Sequence, residues 1–107
     1  MDSLTSVLGA ISHPSRRAIL DRLSRGPARV TEIAEPFDMS LNAVSKHLKV
    51  LEAAGLVERE VVGREHVIGL RAAPLREVSS WVHEYERFWT EHLDRVEKHF
   101  REKRRPK

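Results

Sequence analysis

Leu41, Val44, Leu48 and Leu51 recur at steps of three, four and three, with Ser40 before them and Gly55 after them. Apolar residues at that spacing share one face of an α-helix. A serine at the N-cap accepts a backbone N–H of the first turn, and a glycine just past the last turn takes the left-handed conformation that side chains resist. Residues 40–54 therefore read as a helix. Its other face carries Asn42, Ser45, Lys46, His47 and Lys49, a polar and partly basic set. After Gly55 the period shortens. Residues 56–62 and 65–70 are two strand-like runs around Gly63-Arg64, which predict a β-hairpin with glycine at its tip and one wet face.

The chain upstream is helical in pattern. Leu4, Val7, Leu8 and Ile11 form one apolar face over residues 3–11, and Ser12-His13-Pro14 interrupts it. Pro14 suits the first position of a second helix, where its missing N–H costs nothing. That helix runs through Ala18, Ile19, Leu20 and Leu23 and stops at Gly26-Pro27. Val30, Ile33, Ala34 and Phe37 predict a short third helix over 31–37, with Thr31 as N-cap and Pro36 limiting it to about two turns.

From Pro74 the helical period returns and holds to Phe100 through Leu75, Val78, Val82, Tyr85, Trp89, Leu93 and Val96, with Trp81 and Phe88 widening the stripe. A helix over 74–100 is about 40 Å long, more than the rest of so small a chain can cover. A partner is expected along it. The expected seam joins Leu4 and Leu8 of the first helix to Trp81, Tyr85, Phe88, Trp89 and Leu93 of the last. Arg101 to Lys107 read as a basic, frayed tail.

Composition narrows the chemistry. At 107 residues the chain is one domain's worth, taken as 1–107, and it has no cysteine, so disulfides, thiolate metal sites and cysteine nucleophiles are excluded. No apolar run approaches the roughly 18 residues of a bilayer span, and Met1-Asp2-Ser3 opens no secretory leader, so a cytoplasmic location is expected. Nineteen Lys and Arg against 16 acids give +3, which permits a polyanionic partner without requiring one. No Gly-rich phosphate loop is present, and neither Ser12-His13 nor Ser45 with His47 has an obvious orienting carboxylate, so no enzyme is expected.

Three helices followed by a hairpin is the order of a winged helix-turn-helix, a mainly α fold with a small β-hairpin. An α-helix fits the major groove of B-DNA and reaches base edges with its first turns. Helix 31–37 would lie across the backbone, Asp38-Met39 would turn, and helix 40–54 would read. Ser40 at the helix N-terminus suits a phosphate, Asn42, Ser45, Lys46 and His47 lie in the first two turns, and Arg64 sits at the wing tip.

Those same residues resemble a known family. Ile11-Ser12-His13-Pro14-Ser15-Arg16-Arg17-Ala18-Ile19-Leu20 is similar to the "L-S-D-P-T-R-R-x-I-L" opening of ArsR/SmtB-type bacterial repressors, and Thr31-Glu32-Ile33-Ala34 resembles their "T-E-L-A". Residues 40–57 match "S-x-x-x-V-S-x-H-L-x-x-L-x-x-A-G-L-V" almost position for position, and Gly63-Arg64 matches the wing "G-R". The resemblance covers residues 4–71. It implies a dimeric winged helix-turn-helix, a homodimeric repressor on an inverted-repeat double-stranded DNA operator, with a DNA-binding core over 12–71. It implies Ser40, Asn42, Ala43, Ser45, Lys46 and His47 as DNA readers, with Arg64 in the wing; Lys49 joins Lys46 and Arg64 as an expected phosphate contact.

The departures from the family pattern matter as much. Where metal-sensing members carry "C-x-C" on the third helix, this chain has Ala34, Glu35 and Pro36. His83, His92 and His99, with Glu84, Glu91, Asp94 and Glu102 nearby, do not reproduce the "D-x-H…H-x-x-E" spacing of zinc-sensing members; only His99 and Glu102 match its end. No metal and no cofactor are expected. The Trp81, Tyr85, Phe88 and Trp89 cluster looks like that of members that pack an aromatic last helix across a dimer, and a pocket between two such helices would suit an organic effector of unknown identity.

Two alternatives stay open. The same fold could dock on a protein, although exposed apolar residues would then be expected on helix 40–54 instead of Asn42, Ser45, Lys46, His47 and Lys49. A zinc-responsive repressor would use His92, His99 and neighbouring acids. Blander roles are expected for His13, as a capping or surface residue and not a ligand, and for His66, which could touch DNA but is expected to pack on the wing.

Overall fold

The computed structural model describes residues 2–104. α1 (Ser3–Ala10) and α2 (Pro14–Leu23) are followed by β1 (Ala28–Arg29), α3 (Val30–Ala34), α4 (Leu41–Ala53), β2 (Val57–Val62), β3 (Glu65–Leu70) and α5 (Leu75–Arg104). Each start has a local cause. Asp2 caps α1 by accepting the Thr5 N–H at 2.7 Å. Pro14 opens α2 while His13 Nδ1 accepts the Ser15 N–H at 3.1 Å, so of the capping and surface roles open to this histidine it takes the cap.

α4 fits its sequence reading closely. Ser40 Oγ accepts the Ala43 N–H at 3.1 Å. At the other end Gly55 takes φ +76°, so that the Gly55 N–H meets the Glu52 carbonyl and the Leu56 N–H the Leu51 carbonyl, each at 3.0 Å. This paired closure is a Schellman motif, and it turns the chain from helix into strand within two residues. At the hairpin tip Gly63, at φ +64°, is the first of two turn residues between the paired Val62 and Glu65, as a type II′ turn requires.

Three expectations need correcting. The hairpin is part of a three-stranded antiparallel sheet in the order β1-β3-β2, because Ala28 and Arg29 pair with Ile68 and Val67. α3 starts at Val30 with Arg29 at the N-cap, so Thr31 does not cap it; Glu32 Oε1 instead accepts the Arg29 N–H at 3.0 Å. Phe37 lies beyond the end of that helix but still packs against the core.

The core joins every layer: Val7 of α1, Ile19 and Leu23 of α2, Ile33 of α3, Val44, Leu48 and Leu51 of α4, and Leu56 and Ile68 at the sheet are buried. Burying each Leu or Ile removes apolar surface from water for about 1.5–3 kcal/mol. Leu41, although in phase with that stripe, is 51% exposed in the first turn of α4.

α5 leaves the body. Leu75 and Val78 pack against the core, whereas Trp81, Val82, Tyr85, Phe88, Trp89, Leu93, Val96 and Phe100 are all exposed. Thirty residues make a helix of about 45 Å, and the molecule measures 73 × 28 × 25 Å. The helix is regular through Arg104, so the expected fraying at Arg101 does not occur; the last three residues of the basic tail lie outside the described residues. No helix among the described residues is long and apolar enough to cross a membrane.

Candidate nucleic-acid interface

The buried stripe of α4 fixes which face looks outward. With Val44, Leu48 and Leu51 in the core, Asn42, Lys46 and Lys49 are exposed on the opposite side, and Ser45 and Ala43 are half-buried along its flank. Ser40 stands at the exposed start of the helix with its hydroxyl oxygen accepting from the first turn. Arg64 is exposed at the hairpin tip.

The wing and the helix enclose a cleft of about 330 Å³ between them. Leu41 and Ser45 of α4 line one wall, Thr31 of α3 the floor, and Arg59, Arg64 and His66 of the hairpin the other wall. Ser45 and Arg64, well separated in sequence, thus share one hollow.

His47 departs from expectation. It does not project outward beside Lys46 but is half-buried against α2: its ring lies 4.7 Å from that of His13, and Arg16 Nη1 comes within 3.4 Å of its Nδ1. Burial first, and then the neighbouring His13 and Arg16, hold its pKa below the ordinary histidine value. A guanidinium has donors only, so His47 Nδ1 is the acceptor and its proton sits on Nε2.

Arg16 and Arg17 of the "H-P-S-R-R" opening face α1. Arg16 Nε donates to the Ala10 carbonyl at 2.6 Å and Nη2 to that of Gly9 at 3.2 Å, while Arg17 Nη1 donates to that of Ile11 at 2.7 Å. Cations here satisfy the orphan carbonyls at the C-terminal end of α1 and oppose its negative dipole end.

Residue spacing does not single out two cations of the interface region, Arg29 and Arg59. Arg29 donates to Glu32 at 2.9 Å and to Glu65 at 2.7 Å, tying the start of α3 to the wing. Arg59 reaches Glu52 at 3.5 Å and His66 Nδ1 at 3.2 Å. His66 is exposed, not packed as expected. The Arg29–Glu65 and Arg59–His66 pairs depend on strand register, which residue types do not reveal.

On α5, His92 Nδ1 lies 3.1 Å from the Phe88 carbonyl oxygen, and its ring stacks on that of Phe88 at 4.1 Å. Among the described residues no three His, Asp or Glu side chains come together to hold a metal ion. Leu4 and Leu8 are half-buried on α1, and Trp81, Tyr85, Phe88, Trp89 and Leu93 are exposed in a row. The hollow beside Tyr85 and Phe88 is lined from α5 alone, so it has a floor and no roof.

Residues 11–60 match the family model described as a helix-turn-helix domain. The chain is 39% identical over 84 residues to the HTH-type transcriptional regulator Rv2034 of Mycobacterium tuberculosis, covering 78% of this chain and 76% of that protein. It resembles the crystal structure of an ArsR family transcriptional regulator at 38% identity and a TM-score of 0.78, over 83% of this chain and 98% of that one. At 27% identity and a TM-score of 0.66 it is also similar to a homodimeric winged helix-turn-helix DNA-binding domain from Mycobacterium bovis, over 85% of this chain and 84% of that one.

Proposed function

Because the chain belongs to the ArsR family of helix-turn-helix transcriptional regulators, we propose that it works as a homodimeric repressor, setting two copies of α4 into successive major grooves of an inverted-repeat operator. The observation that carries this reading is the outward face of α4. Asn42, Lys46 and Lys49 are exposed there, and Ser45 shares a cleft with the wing-tip Arg64. Asn42 and Lys46 are suited to base edges, Lys49 and Arg64 to phosphates.

Dimerisation follows from α5. A helix this long, with Trp81, Tyr85, Phe88, Trp89 and Leu93 exposed along one side, leaves a large apolar surface in water until something covers it. A second copy does so, and the homodimeric neighbour supports that arrangement. Two reader helices one helical turn apart span about 34 Å. Repression then needs nothing beyond occupation of the promoter, and an organic effector would act by favouring a dimer geometry that misplaces the two helices.

The test is fluorescence anisotropy against the intergenic DNA upstream of the protein's own gene, over a salt series, first with EDTA and then with zinc. Tight, sequence-selective binding that weakens steeply with salt and ignores zinc is the expected result. Release of DNA by zinc would point to the α5 histidines as a sensor. Absence of selective binding in both conditions would favour a protein-docking role.

A further inference from the structure

The inner face of the hairpin changes character along its length. Val57, Arg59 and Val61 of β2 stand opposite Leu70, Ile68 and His66 of β3, so these six side chains share one face. Near the body that face is apolar and covered: Val57 and Ile68 are buried and Leu70 packs on the core. Beyond Ile68 the same face continues as Arg59 and His66, which overhang the first turns of α4 and line the cleft with Thr31, Ser45 and Arg64. Arg59 and His66 are diagonal neighbours across the strand pair, close enough for long side chains to meet.

Their contact fixes a donor. Arg59 Nη1 lies 3.2 Å from His66 Nδ1, and a guanidinium offers only N–H groups, so Nδ1 accepts and the imidazole proton sits on Nε2. Glu52 holds the other side of the guanidinium, 3.5 Å from Nε, and the Arg59 side chain is only 25% exposed. The arginine is therefore pre-positioned at the cleft wall. Glu65, an acid that also lines the cleft, is engaged by Arg29 of the same lining at 2.7 Å. The result is a basic hollow with two hydroxyls, Thr31 and Ser45, between the two elements that would straddle a DNA strand.

We propose that this cleft seats one backbone phosphate of the bound DNA, with Arg59 as its charged ligand and His66 Nε2–H as a neutral second donor. The assignment rests on α4 being the DNA-reading helix. Arg59 supplies affinity without regard to sequence, and it fixes the height of the strand above Asn42 and Lys46.

Wild type, Arg59→Gln and His66→Ala are titrated with a DNA duplex by anisotropy at pH 8 over a salt series. Arg59→Gln is expected to weaken binding alike on every duplex and to lower the slope of log K against log salt by about one, as removal of a single phosphate-binding cation does. His66→Ala is expected to weaken binding about threefold to tenfold with the slope unchanged, because a neutral hydrogen-bond donor releases no counterion. If wild type binds and His66→Ala and a folded Arg59→Gln both match it, the phosphate seat is overturned while the DNA-binding reading stands. If wild type binds no duplex, that reading fails and the seat with it.

Discussion

The ring of His47, on the helix assigned to the major groove, rests 4.7 Å from the ring of His13, the residue that caps α2. Arg16 approaches the same imidazole at 3.4 Å, so the third member of the cluster is a permanent cation. His47 is thereby a joint between two helices. This geometry makes the fold sensitive to acid.

Burial, then His13 and Arg16, lower the pKa of His47 in the folded chain below its ordinary 6.5, so the unfolded chain binds the proton more readily. Stability is therefore unimpaired above that value and falls as pH drops through it, levelling off below the folded pKa. Urea unfolding at pH 7.5, 6.5 and 5.5 is expected to show a falling midpoint in wild type. His47→Gln, which has no proton to gain, should flatten that dependence; an unchanged slope would remove His47 from the effect.

Lys46 and Arg64 are exposed and form no part of the core. Alanine at either position should leave the thermal midpoint unchanged and weaken DNA binding. Wherever the deleted cation had neutralised a phosphate, the salt slope should also fall by about one. A lowered midpoint by circular dichroism would instead mean a structural role.

Gly55→Ala tests the junction between α4 and the wing. A Cβ there would meet only Pro74 Cγ, at an ordinary 3.6 Å, so the cost is confined to forcing φ +76° on an L-residue. That conformation costs about 1–2 kcal/mol. Chemical denaturation should show a loss of this size, with the spectrum of the folded state retained.

Trp89 is 42% exposed on the α5 stripe. Trp89→Ala should shift the molecular mass measured by light scattering at low micromolar concentration from dimer toward monomer. An unchanged mass would take Trp89 out of the seam.

Where periodicity carried the information, the sequence was readable: α4, its serine cap, its glycine stop and the hairpin at Gly63 all stand where residue spacing puts them. β1 leaves no trace in the sequence because a strand of only two residues has no period, and its existence depends on Ile68 and Val67 arriving beside it. Leu41 kept the helical phase but lost the burial, since phase reports direction and not what lies there. His47 and His66 exchanged their expected settings for a similar reason. One is turned inward by α2 and the other held at the surface beside Arg59, and neither partner is adjacent in the chain.

Arg16 binds the last carbonyls of α1 through two nitrogens and touches His47 through the third. A single side chain thus rivets three helices at one point, and their mutual angles cannot drift without tearing a charged donor from its acceptors. The winged body is braced where α1, α2 and α4 meet. In a pair of chains joined along α5, a signal arriving there would be transmitted as a change in the separation and tilt of two unbending blocks, while the shape each presents to the groove stays the same.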